Sequence, residues 1–133
     1  MKPVLLVVLA TLLSSQILFA ERVKDKASVT PILKQFMRSW NLLQNKKIYE
    51  LFHPDSDLAK GLLKKEGRAE IDNELVKAIN VHGEMKSIEL GKYSQDLGTY
   101  KLHFTYDKVG EAEGFIAFKK FKGKYLIFDI DID

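Results

Sequence analysis

A histidine and two aspartates stand close together in the stretch from His53 to Asp57. Imidazole nitrogens and carboxylate oxygens bind divalent cations, and a carboxylate can also act as a general base. A metal site needs three or four converging ligands, and neither His82 nor His103 has the spacing of a zinc motif. We therefore predict no metal and no cofactor. Asp55 is the candidate catalytic base, although aspartates in such a stretch usually form turns or cap helices.

Three more aspartates, Asp129, Asp131 and Asp133, alternate with isoleucines at the end of the sequence. In a strand this alternation places all three carboxylates on one face. Neighbours on that face lie roughly 6.5 to 7 Å apart, too far to share a calcium ion comfortably. We expect a solvated or edge-protecting acidic end.

The composition excludes several functional classes. The 133 residues contain no cysteine, so this chain can form no disulfide, thiol nucleophile or cysteine-bound metal site. The net charge is only +3, and no aromatic-rich basic groove is apparent, so we predict no nucleic-acid partner. The lysines of the last predicted hairpin are expected to form a solvated turn; they are Lys119, Lys120, Lys122 and Lys124.

The first twenty residues have the pattern of a secretory signal peptide. A basic start and an apolar centre from Val4 to Leu13 lead to Ala20, after which charge begins at Glu21. We predict cleavage after Ala20 and a secreted or periplasmic domain. The alternative is an uncleaved membrane anchor, because residues 3–20 nearly reach the ~20 residues that span a bilayer. A polar, mobile leader is predicted for residues 21–30, followed by one domain over residues 31–133.

The first half of this domain has a helical spacing of apolar residues. Four helices are predicted: the first from Thr30-Pro31 with Leu33, Phe36, Met37, Trp40 and Leu43 inward, and a short one over Ile48–Phe52. The third has Leu58, Ala59, Leu62 and Leu63 inward and stops at Gly67, and the fourth carries Ile71, Leu75 and Ile79 and stops at Gly83. We predict Trp40 to lie in the core, near Phe104 and Phe128.

From Met85 onward the apolar period changes to two, which predicts four strands with one buried face. The predicted inward residues are all even-numbered: Ile88, Leu90, Tyr100, Leu102, Phe104, Tyr106, Ile116, Phe118, Leu126, Phe128, Ile130 and Ile132. A three-residue hairpin loop at Phe121-Lys122-Gly123 would set Phe118 opposite Leu126 and Ile116 opposite Phe128. The preceding turn would set Phe104 opposite Ile116.

Apolar residues are also predicted on the outer face of this sheet. Odd-numbered positions point away from the helices, and an exposed apolar group favours a binding surface. We therefore predict an interface for a homodimer or another protein partner, formed by Phe115, Ala117, Tyr125, Ile127 and His103.

Helices followed by a curled antiparallel meander resemble the NTF2-like superfamily, which includes ketosteroid-isomerase and polyketide-cyclase relatives. The stretches that carry the likeness run from Phe36 to Asp55 and from Phe118 to Asp131. The resemblance implies an α+β fold in which N-terminal helices pack on a curved four-stranded antiparallel meander, a shape close to that of cystatins. It also implies a cone whose mouth can admit a small apolar ligand, for which the candidate contacts are Trp40, Tyr49 and His53.

Three functional hypotheses follow. The first is an exported, non-enzymatic NTF2-like domain that binds a small apolar ligand or a protein partner. The second is an isomerase- or cyclase-like enzyme with an acidic base at the cone mouth, for which Asp55 is the candidate. The isomerase-like members also need a hydrogen-bond donor for the developing enolate, and no matching set is apparent here. The third is a secreted inhibitor of cystatin-like shape.

We expect the mature chain to begin at Glu21 or within a few residues of it, because Ala20 is the small residue that precedes the polar chain. Intact-mass measurement of the exported form checks this. A protein that is found in the membrane fraction and still carries residues 1–20 would contradict cleavage and identify an anchored domain.

Overall fold

A computed structural model describes residues 20–132, and the predicted signal peptide lies outside the described residues except for Ala20. Within these described residues, a short 3₁₀ turn at Lys26–Ser28 precedes four helices and four strands. The helices are α1 (Thr30–Asn41), α2 (Asn45–Tyr49), α3 (Asp57–Leu62) and α4 (Gly67–His82). The strands are β1 (Met85–Ser94), β2 (Thr99–Tyr106), β3 (Gly110–Phe121) and β4 (Lys124–Ile132). None of the helices within residues 20–132 has the length and apolar character needed to cross a membrane.

Helix α1 lies on the sheet through one apolar face. Pro31 occupies its first turn, where a missing N–H costs nothing, and Leu33, Phe36 and Trp40 are buried. The prediction that Leu43 faces inward is wrong. The helix ends at Asn41, and Leu43 adopts a left-handed backbone that leaves its side chain exposed.

The boundary between α3 and α4 differs from the prediction. Gly67 begins α4 instead of ending α3, and Leu63 is 87% exposed because α3 ends at Leu62. A Cβ atom on Gly67 would lie 2.0 Å from the carbonyl oxygen of Gly61. Glycine is needed here because the two backbones approach too closely for a side chain.

The four strands form an antiparallel meander in the order β1-β2-β3-β4. The even-numbered residues of β2 face the core as predicted. The predicted pair of Phe104 with Ile116 is wrong, because the turn after Tyr106 is shorter than expected and Tyr106 pairs with Gly110. Phe104 therefore lies opposite Ala112, and Ile116 lies opposite Tyr100.

The last hairpin differs from the prediction in both its turn and its register. Phe121 pairs with Lys124, so the turn contains only Lys122 and Gly123, which both have positive φ, as a type I′ turn requires. Phe118 pairs with Ile127 and Ala117 pairs with Asp129, which leaves Phe128 as an extra, bulged residue.

This bulge reverses the alternation of side chains along β4. After the bulge, Ile130 and Ile132 remain in the core as predicted. Before the bulge, the core residue is Ile127. The predictions that Phe128 and Leu126 face the helices and that Ile127 lies on the outer face are therefore wrong. A bulge shifts the phase of a strand by one residue, so the side chains on its two sides follow opposite alternations, and here those before the bulge lie on the face opposite to the predicted one.

The leader packs on the domain and differs from the mobile segment that its polarity predicts. The backbone N–H of Glu21 donates to the carbonyl of Phe118 at 2.8 Å, and that of Val23 donates to the Tyr100 hydroxyl at 2.9 Å. Val23 and Val29 are buried in the core. The leader thus lies beside β3 as a short extended segment, next to the part of β3 that follows its pairing with β2.

Aromatic rings fill the space between α1, the end of α4 and the sheet. The Trp40 ring lies 5.8 Å from that of Tyr106 and 6.2 Å from those of Phe36 and His82. The indole N–H of Trp40 donates to the carbonyl of Gly83 at 2.9 Å, which links α1 to the end of α4. The predicted core position of Trp40 is confirmed, but Phe128 lies on the opposite face of the sheet, against His53.

We expect Trp40→Ala to lower the free energy of unfolding by about 3 to 5 kcal/mol, because it removes a fully buried ring and leaves the Gly83 carbonyl without its donor. Chemical denaturation followed by circular dichroism measures the change. Leu42→Ala is the matched control on the same helix end, since Leu42 is exposed. Equal effects of the two substitutions would contradict the packing role of Trp40.

Candidate functional site: a groove between the leader and the last hairpin

Two of the residues predicted to contact a ligand, Trp40 and Tyr49, are buried in the core. The Tyr49 hydroxyl donates to a carboxylate oxygen of Asp72 at 2.5 Å, and the Asn45 side-chain amide donates to the same oxygen. Burial raises the pKa of Tyr49, and the Asp72 carboxylate raises it further. In this structure Tyr49 links α2 to α4.

His53 is buried, and both of its ring nitrogens have backbone partners. Nδ1 lies 3.0 Å from the N–H of Asp55 and therefore accepts, which makes Nε2 the donor to the carbonyl of Lys120 at 3.2 Å. With Nδ1 used as an acceptor, the ring is neutral, so its 4.0 Å approach to the Asp55 carboxylate is not an ion pair. His53 ties the turn after α2 to the end of β3.

Asp55, the candidate base, lies on an exposed turn. Its carboxylate is 3.8 Å from the ammonium of Lys119, and its side chain is 65% exposed. It therefore sits in a solvated position at the edge of β4, away from the aromatic interior of the cone.

The five residues of the predicted interface do not form one surface. His103 and Phe115 point to the outer face, where His103 is exposed between Glu89 and Glu113. Ala117 shares this face but is fully buried. Ile127 lies in the core and Tyr125 packs partly against it, because the bulge has turned both toward the helices. The apolar outer patch therefore loses two of its four predicted apolar members.

The displaced Tyr125 lines an open groove of about 820 Å³, which we call the leader groove. Its walls come from three segments that are distant in sequence: the leader, the first turn of α1 and the β3–β4 hairpin. They contribute Lys24, Asp25 and Ser28; Pro31 and Ile32; and Lys120, Gly123, Lys124 and Tyr125. A long hydrogen bond of 3.4 Å from the Lys24 N–H to the Tyr125 hydroxyl joins two of these walls.

The leader groove combines an apolar floor with a positive rim. Pro31, Ile32 and Tyr125 supply the apolar surface, and the ammonium of Lys120 lies 5.1 Å from the centre of the Tyr125 ring. Within the described part of the chain, Lys24, Lys120 and Lys124 make no ion pair. The one carboxylate of the rim, Asp25, already accepts the N–H of Ala27 at 3.0 Å.

Sequence patterns gave only a partial signal for this site. The lysines of the last hairpin form a cluster in the sequence, but a solvated turn is the usual role of such residues. The polarity of the leader predicts a mobile segment, which would not form the wall of a groove. The buried Val23 and Val29, at either end of the groove-lining leader residues, were the available clue that this segment packs.

Comparisons with known proteins bear on the fold. A structure search finds a designed NTF2-like protein that matches with a TM-score of 0.53 and 15% sequence identity, over 82% of this chain and 100% of the design. The chain has an NTF2-like fold. No family model and no curated protein matches the sequence. At this identity the likeness establishes the fold alone.

On the outer face of this NTF2-like fold, Asp129 is a buried carboxyl group, which contradicts the predicted solvated acidic end. It is 4% exposed, and neither of its carboxylate oxygens has a hydrogen-bond partner among residues 20–132. Burial raises its pKa to about 8, and repulsion from Asp57 and Asp131 adds to the effect. The nearby backbone N–H of Ile130, although it makes no well-formed hydrogen bond to the carboxylate, lowers the pKa and offsets these effects only in part.

The space beside Asp129 is too small for a substrate. The cavity that it shares with Thr99 and Phe115 has a volume of about 10 Å³, which is at the lower limit for a single water molecule. A carboxyl group with a raised pKa is a typical feature of an active site, but chemistry on a substrate also needs room for that substrate. We therefore infer that the raised pKa of Asp129 affects the stability of the folded domain.

Asp129→Asn is expected to stabilise the domain by about 2 to 4 kcal/mol at pH 7. An acid whose pKa is raised by folding favours the folded state fully below its unfolded pKa near 4, and this contribution is lost as the pH rises toward about 8. The stabilisation by the amide should therefore disappear near pH 4. Urea unfolding from pH 4 to 8 measures it, with Asp96→Asn in an exposed loop as the control. A destabilised variant at pH 7 would show that Asp129 is ionised and paired.

Proposed function

We propose that this chain is a non-catalytic binding domain that takes a small amphipathic ligand in the leader groove. The supporting observation is the contrast between the cone interior and the groove. Tightly packed rings occupy the interior, with the His82 and Tyr106 centroids 4.8 Å apart and those of Tyr100 and Phe118 6.1 Å apart. The groove is open, and its volume of about 820 Å³ lies within the usual range for small-molecule sites.

The arrangement of acidic groups favours binding over catalysis. An isomerase-like reaction needs a base and a hydrogen-bond donor that converge on a bound substrate. Asp55 is on an exposed turn, and Asp129 is beside a cavity of about 10 Å³ on the outer face. Neither carboxylate lines the leader groove.

The proposed site of action is outside the cytoplasm. This part of the proposal rests on the signal-peptide pattern of residues 1–20 and on the absence of cysteine, which leaves the domain insensitive to thiol oxidation. The leader that lines the groove begins directly after the proposed cleavage site, so the mature N-terminus would lie close to the ligand-binding region.

Ser28→Trp is expected to block the groove, because Ser28 is an exposed lining residue and indole would occupy the space above the apolar floor. Titration with N-phenyl-1-naphthylamine, a neutral dye that becomes fluorescent out of water, measures binding. We expect the wild type to bind the dye and Ser28→Trp to lose about tenfold in affinity or more.

Ala27→Trp is the matched control. Ala27 is exposed in the same 3₁₀ turn but does not line the groove, so it should leave the dye affinity unchanged. Circular dichroism confirms that both variants are folded. Equal dye binding by wild type and Ser28→Trp would contradict the groove as the ligand site.

A further inference from the structure

We infer that the ligand of the leader groove is a free amphiphile with a single anionic head group, held by lysines from both walls. This inference rests on the proposed function and specifies its ligand class. The head group would lie between Lys24 and Lys120, and the apolar body would lie along Pro31, Ile32 and Tyr125.

Charge complementarity is the first argument. Among the described residues, the lining includes three lysines and one aspartate, and the carboxylate of that aspartate caps the 3₁₀ turn. A neutral ligand that covered these lysines would remove water from them without a compensating partner, which is unfavourable. An anionic head supplies the partner, and the partly apolar surroundings strengthen the attraction relative to bulk water.

The position of the charges relative to the apolar floor is the second argument. Lys120 lies over the face of Tyr125, so a positive charge and an apolar surface are about 5 Å apart in the same groove. Lys24 comes from the leader wall and Lys120 from the hairpin wall, so lysines line the groove from two sides. This arrangement matches one head group attached directly to one apolar chain.

The concave shape favours a free molecule over a membrane surface. The outermost lysine of the hairpin, Lys122, lies at the turn over the Phe121 ring and does not line the groove. A flat membrane surface would contact such a protruding residue first, whereas a free amphiphile would contact the residues inside the groove. Lys122 and Lys120 therefore provide a matched pair for the test.

The experiment compares decanoate with decanol by displacement of N-phenyl-1-naphthylamine from the full mature chain. We expect decanoate to bind more tightly, and Lys120→Glu and Lys24→Glu each to weaken decanoate by about tenfold, equivalent to about 1.4 kcal/mol, with decanol unchanged. Lys122→Glu makes the same change in net charge outside the groove and should alter the decanoate affinity by less than about twofold.

Two further measurements test the apolar body and the salt dependence. Octanoate lacks two methylenes and should bind about fifteenfold more weakly than decanoate, since each buried methylene contributes about fourfold. Raising the ionic strength from 0.01 M to 1 M should weaken decanoate and leave decanol unaffected, because salt screens only the charged contact.

Several outcomes would overturn the inference. Equal affinities for decanoate and decanol, or equal effects of Lys122→Glu and Lys120→Glu, would contradict a specific contact with an anionic head group. Binding to vesicles of anionic phospholipid without binding to monomeric decanoate would assign the lysines to a membrane surface. If Ser28→Trp still blocks the dye in these cases, the groove remains a ligand site and only its anion preference is wrong. If no probe responds to Ser28→Trp, the proposed function itself fails.

Discussion

One extra residue in β4 decides which side chains reach the core, the outer face and the leader groove. Phe128 has no partner on β3, so the strand changes phase between Ile127 and Asp129. Ile127 enters the core, and Phe128 packs its ring against His53 on the other side. Two residues before Ile127, Tyr125 turns toward the first helix and becomes part of the floor of the groove. Without the bulge, the proposed ligand site would lack its aromatic surface.

The segment after α2 secures the bulged strand. The N–H of Ile127 donates to Leu51, and the N–H of His53 donates to Ile127, each at 2.8 Å. These bonds satisfy backbone groups on the open edge of β4, which would otherwise be exposed for pairing with another chain. The neutral imidazole of His53 then reaches the Lys120 carbonyl and joins the same turn to β3. A histidine that resembles catalytic machinery in the sequence thus helps to fix a sheet edge.

Burial of Asp129 lowers the free energy of unfolding of the domain, and contacts with its neighbours do not offset this effect. Its two carboxylate oxygens lack hydrogen-bond partners among the described residues, while Asp57 and Asp131 add like charge. At neutral pH the folded state holds this group mostly protonated, and the energy of doing so subtracts from stability. The aromatic core around Trp40 has to supply that energy, because the chain has no cysteine with which to form a disulfide.

The sequence by itself determined the α+β order, the four strands, the buried face of β2 and the core position of Trp40. These features follow from the periods of 3.6 and 2 in the apolar residues, which are local properties of the chain. The two-residue turn at Lys122-Gly123 and the bulge at Phe128 were decided only by tertiary structure, because the same residues also fit a three-residue loop with unbroken alternation. Burial of Asp129 and packing of the leader likewise depend on contacts between segments that are far apart in sequence. The leader groove has walls separated by about ninety residues, so no local pattern contains it.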